Sequence, residues 1–81
     1  MEKVFFDFQK LRGRIVEILG NQNILANKLG VSNVSLSRKL NNKSRFSPDD
    51  VIIISDILKI PKDEIGVYFF TTKVQKGEQA I

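Results

Sequence analysis

Asn33, Val34, Ser35, Ser37 and Arg38 fall within a few consecutive positions, and side chains of these types read the edges of bases. An Asn amide can bond adenine through two atoms, and a Val surface can lie against the methyl of thymine. Ser accepts or donates to several bases, while the Arg fork fits guanine O6 and N7 or clamps a phosphate; for Arg38 both remain open. Gln22, Lys39, Asn41, Lys43 and Arg45 are suited to phosphate, where contacts position a protein without reading sequence. A solvated bystander is the competing reading at each position, and for Gln22 it is a local capping role. Arg12, Arg14 and Lys28 read more simply as solvated cations.

Such a set is useful only if a helix projects it. Leu36 and Leu40 repeat four residues apart behind Ser32, a good N-cap, which predicts a helix from Asn33 to about Asn41. Ahead of it Ile24, Leu25 and Leu29 recur at helical spacing, Ala26 permits close approach, and Gly30 can take a positive φ. Residues 22–41 therefore read as two short helices joined by a tight turn plugged by Val31, a helix-turn-helix. A plain helical hairpin would fit the Ala-x-x-x-Gly spacing alone; Gln22, Ala26, Gly30, Ser32 and Arg38 together argue against it.

The flanks supply supporting helices. Asp7 can cap a helix to about Leu19, with Phe8, Leu11, Ile15, Ile18 and Leu19 on its buried stripe, and Gly13 is expected to permit a close helix contact. Ser47-Pro48-Asp49-Asp50 is a start signal for a helix to about Lys59. The run Val51-Ile52-Ile53-Ile54 would also suit a buried strand, but the cap decides for helix. Pro61 opens a last short helix to about Phe69, and residues 71–81 read as a polar, flexible tail.

With these residues in place, the chain resembles the helix-turn-helix family of temperate-phage repressors and Cro proteins. The carriers are Gln22, Leu25-Ala26, Leu29-Gly30-Val31-Ser32 and Leu36-Ser37-Arg38. The likeness continues through Lys39-Leu40-Asn41-Asn42-Lys43, Phe46, Ile57 to Pro61 and Tyr68-Phe69-Phe70, covering roughly residues 7 to 70. The resemblance implies an all-α, compact five-helix repressor-type domain over residues 1–70 with a C-terminal tail over 71–81. It also implies that Gln22 touches the DNA backbone. Asn42 stands where the family commonly has Gly, and Val34 where a polar base reader is common; Asn tolerates a left-handed backbone, whereas Val34 alters the chemistry of reading.

Composition narrows the rest. Eighty-one residues, 42% of them hydrophobic, make one domain with a modest core and no room for a large cleft. Without Cys or His there is no disulfide framework, thiol nucleophile or common metal ligand, and the carboxylates sit at helix starts; no enzyme, metal, cofactor or small-molecule substrate is expected. No run is long enough to span a bilayer, and the bacterial host cytoplasm is the expected compartment. Residues 1–46 hold nine Lys or Arg against three acids, and residues 47–81 hold four against six, so the basic charge travels with the motif.

Two functions follow. The first is a sequence-specific transcriptional regulator of a phage or prophage switch, its helix 33–41 in the major groove of a double-stranded operator. One helix reads too few base pairs, so a two-fold homodimer is expected, joined through Ile65, Val67, Tyr68, Phe69 and Phe70 where these do not serve the monomer core. The second is an antirepressor, forming a mixed complex with a phage repressor and blocking its hold on DNA.

Overall fold

The structure is a computed structural model that describes residues 4–73. It is all-helical: α1 Gln9–Leu19, α2 Gln22–Leu29, α3 Asn33–Leu40, α4 Pro48–Ile57, a 3₁₀ turn Lys62–Glu64 and α5 Ile65–Phe69. The starts of α2, α3 and α4 have a local cause. Asn21 and Ser32 accept from the backbone N–H of Ile24 and Ser35, both at 3.0 Å. Ser47 and Asp50 cap reciprocally ahead of α4, where Pro48 loses no needed donor. Asp7 accepts from the Gln9 N–H at 2.9 Å but stands two residues before α1, so Phe8 holds the N-cap position expected of Asp7 and no side chain caps there.

Three helix ends share one device. Gly30, Asn42 and Lys59 take left-handed φ values of 75°, 63° and 57° after α2, α3 and α4. The next residue's N–H then reaches back to a carbonyl in the last turn: Val31 to Ala26, Lys43 to Arg38 and Ile60 to Ser55. Lys59 has a side chain strained in this region, and its turn ends α4 at Ile57 rather than near residue 59.

The core joins Leu11 and Ile15 of α1, Leu25 and Ala26 of α2, Leu36 and Leu40 of α3, Ile54 and Leu58 around the end of α4, and Phe69 of α5. Each fully buried Leu, Ile or Phe contributes about 1.5–3 kcal/mol relative to exposure. α1 packs on α2 and α5, and α4 packs on the same two helices. Gly13 is exposed and a Cβ there would meet nothing within 4 Å, so the close contact expected of it is absent.

One end of the core is aromatic. Phe6, Phe8, Phe46, Phe69 and Phe70 form a closed circuit with successive centroid separations of 6.0, 5.4, 5.6, 6.4 and 5.9 Å, three of the contacts edge-on. Phe6 reaches it because the segment before α1 pairs antiparallel with residues 71–73. Asp7 N–H donates to the Thr71 carbonyl and Lys73 N–H to the Phe5 carbonyl, both at 2.8 Å, around a Phe6–Thr72 bridge. The first three residues of the expected tail thus belong to the fold; residues 74–81 lie outside the described residues.

On the other side of that segment Asn42 is buried, its amide accepting from Phe6 N–H at 2.8 Å and donating to the Phe6 carbonyl at 2.9 Å. It bonds Phe6 as a neighbouring strand would.

Candidate functional site

The α2–α3 pair sets the geometry of the residues singled out for binding. Gln22 opens α2 and Asn33 opens α3, and the Gln22 Nε2 donates to the Asn33 Oδ1 at 3.1 Å, tying the two helix starts together. Asn33 and Arg38 are exposed, Ser35 and Ser37 are half-buried, and Val34 is 70% exposed. The Arg38 side chain has no hydrogen-bond or ionic partner among the described residues. This face presents an apolar residue in its first turn with polar neighbours, two of which are already engaged, Asn33 by Gln22 and Ser37 by Asn41.

The residues expected beside phosphate divide. Lys39 binds Asp50 of α4 at 2.6 Å, both side chains largely shielded. Burial works against the charged form of Asp50, but hydrogen bonds from Lys39 and Ser47, with the attraction of Lys39, outweigh it and hold its carboxyl below the ordinary value. Asn41 accepts from Arg12 at 2.8 Å. Arg45 donates to the Val4 carbonyl at 2.7 Å and lies 5.2 Å from the Phe6 ring centre, so it fastens the first described segment. Gln22 is engaged as above, and Lys43 is left exposed without a side-chain partner among the described residues.

Arg12 and Arg14, which composition alone presents as solvated cations, are both structural. Arg12 also donates to the Leu40 carbonyl at 3.2 Å, at the end of α3. Arg14 donates to the Leu58 and Lys59 carbonyls at 2.9 and 3.1 Å, just past α4. Each places a fixed positive charge where a helix leaves its carbonyls unpaired. Two arginines two positions apart on α1 thereby anchor the ends of two other helices.

Of the five apolar residues expected at an interface, Tyr68 and Phe69 are core, at 8% and 2% exposure, and Ile65 is half-buried. Val67 and Phe70 remain exposed. The outer face of α4, not among the expected interface residues, is also apolar. Ile52 is 65% and Ile53 47% exposed there, flanked on the same stripe by the exposed Asp49 and Asp56. The signal was the uninterrupted apolar run, since four consecutive residues span more than half a helix circumference and cannot all face a core.

Among the described residues no group of three or more His, Cys, Asp or Glu is placed to hold a metal ion, and no helix is long and apolar enough to cross a membrane. A model of the family described as "Protein of unknown function (DUF739)" matches residues 4–72. Among solved structures the chain is similar to the solution structure of the modulator of repression (MOR) of the temperate bacteriophage TP901-1 from Lactococcus lactis. The two are 33% identical with a TM-score of 0.73, over 86% of this chain and 95% of that one. No curated protein matches.

Proposed function

The chain belongs to the DUF739 family, and from that premise we propose that it modulates repression in a phage or prophage switch by binding the repressor protein and blocking its hold on DNA. The likeness to a phage modulator of repression across nearly the whole described fold carries this reading. The surface supports it. A helix that reads an operator benefits from free polar side chains in its first turn, whereas α3 offers Val34 there, with Asn33 bonded to Gln22. Lys39 is paired with Asp50, which removes one charge from the electrostatic grip that non-specific DNA binding requires, and Asn41 and Arg45 are held by partners within the chain. On this reading the protein is a binding module of the host cytoplasm, with no catalytic role.

One observation favours a second reading, a Cro-like homodimer whose α2–α3 helix-turn-helix reads an operator: Arg38 and Lys43 project free from the basic half of the chain. The two readings part in one experiment. The purified protein is titrated at two salt concentrations against DNA flanking its own gene and against the repressor encoded beside it. A stable mixed complex that displaces the repressor from its operator is the expected result. Sequence-selective DNA binding that is weakened by Arg38→Ala, with no mixed complex, would overturn it.

A further inference from the structure

Among the described residues of α4, the buried positions are Val51, Ile54 and Ser55, and Leu58 continues that face just beyond the helix. Asp49, Ile52, Ile53 and Asp56 form a second stripe at the same i, i+3, i+4, i+7 spacing, and this one faces solvent. β-branched residues are poorer helix formers than Ala or Leu, so outward Ile at two adjacent positions gains nothing for the helix itself. Beside the stripe, α4 and the 3₁₀ turn enclose a mostly apolar groove of about 220 Å³, lined by Ile52, Ser55, Asp56, Ile60, Lys62 and Ile65. Ser55, 5% exposed, lines the groove, and its buried Oγ has no hydrogen-bond partner among the described residues.

The charge around the groove is acidic. Asp49, Asp56, Asp63 and Glu64 are exposed, against Lys59 and Lys62, on a protein whose other half is basic. We infer that this face is the docking surface for the DNA-binding domain of a repressor, with the two Ile as apolar anchors and the acids facing Lys and Arg that otherwise meet phosphate. The inference rests on the function proposed above and names its surface. Any repressor's DNA-contacting face is basic, so it complements this one. A second copy of the chain does not, because a two-fold contact through this patch would bring two acidic rims together.

The test uses the full chain and the full-length repressor encoded beside it. Ile52→Ala with Ile53→Ala should weaken the mixed complex at least tenfold. Asp56→Lys should do the same and reduce its salt dependence, and the melting transition should be unchanged in both, since neither site supports the core. Val34→Asp, on the α2–α3 face, should leave affinity within about twofold. If the α4 variants bind as the parent does, or if Val34→Asp abolishes the complex, the surface assigned here is wrong while repressor binding stands. A parent that binds operator DNA and no repressor overturns both. Sedimentation on the chain alone completes the set: a dimer that Ile52→Ala with Ile53→Ala dissociates would make the occupant a second copy and overturn the inference.

Discussion

Replacing Asn42 should reveal how much of the fold hangs on a single amide. Its two hydrogen bonds to Phe6, at 2.8 and 2.9 Å, are part-buried and well formed. At about 0.5–1.5 kcal/mol net for each, their loss costs about 1–3 kcal/mol. The backbone adds a separable quantity, because Asn42 sits at φ 63°. Asn tolerates that region and Gly prefers it, whereas Ala there costs about a further 1 kcal/mol. Asn42→Ala should therefore destabilise by about 2–4 kcal/mol and Asn42→Gly by about 1 kcal/mol less. A domain of this size has about 4–10 kcal/mol in total, so the Ala variant forfeits a large share. Urea unfolding monitored by circular dichroism gives both values, and amide exchange at Phe6 reports the clamp directly. An Ala variant within 0.5 kcal/mol of the parent, or a Gly variant in which Phe6 N–H exchanges no faster, would refute this account.

Lys59→Gly should stabilise by about 1 kcal/mol in the same urea titration, by relieving a left-handed lysine after α4 while leaving its carbonyl available to Arg14. Gly13→Ala should stabilise by about 0.5–1 kcal/mol, since the position is exposed, mid-helix and open around the missing Cβ. Arg14→Ala should cost about 1–2 kcal/mol and speed amide exchange in the turn after α4, because two carbonyls lose a charged donor. Asp50 titrates below its ordinary value of 3.8 in the folded state. Its stabilising contribution is thus complete above that value and disappears as pH falls through the lower folded one. Unfolding free energies measured from pH 5 to pH 2 should fall more steeply for the parent than for Lys39→Met.

Local chemistry made most of the helices readable before any coordinates. Ser32, Ser47 with Pro48, and Gly30 announce starts and a stop through interactions within a few residues, and the observed boundaries follow them closely. The end of α4 was overestimated because nothing local warns that Lys59 will turn left-handed; that turn is braced by Arg14 from a distant part of the chain. The same limit governs the binding residues. Their types suggested phosphate contacts for Lys39, Asn41 and Arg45, but their partners Asp50, Arg12 and Val4 lie on other elements and become visible only in three dimensions. Asn42 shows a partial case: its tolerance of left-handed backbone was legible, while the bond to a segment 36 positions away was not. The outward stripe of α4 is present in the sequence as an apolar run, but the run alone does not reveal which of its residues face the core and which face solvent.

The pairing of Phe6 with Thr72 also sets an order of events in folding. Hairpins such as α2–α3 close over short chain separations, so their entropic cost is small and they form early. The aromatic circuit needs both ends of the described chain in place, so it is expected to close last, and its backbone pairing to part first on unfolding. When it parts, Phe6 and Phe70 lose each other's cover while the remaining helices still stand. Proteolytic surveillance would meet that opened form first. The lifetime of the chain under proteolysis would then be governed by a local latch of a few backbone hydrogen bonds rather than by global unfolding.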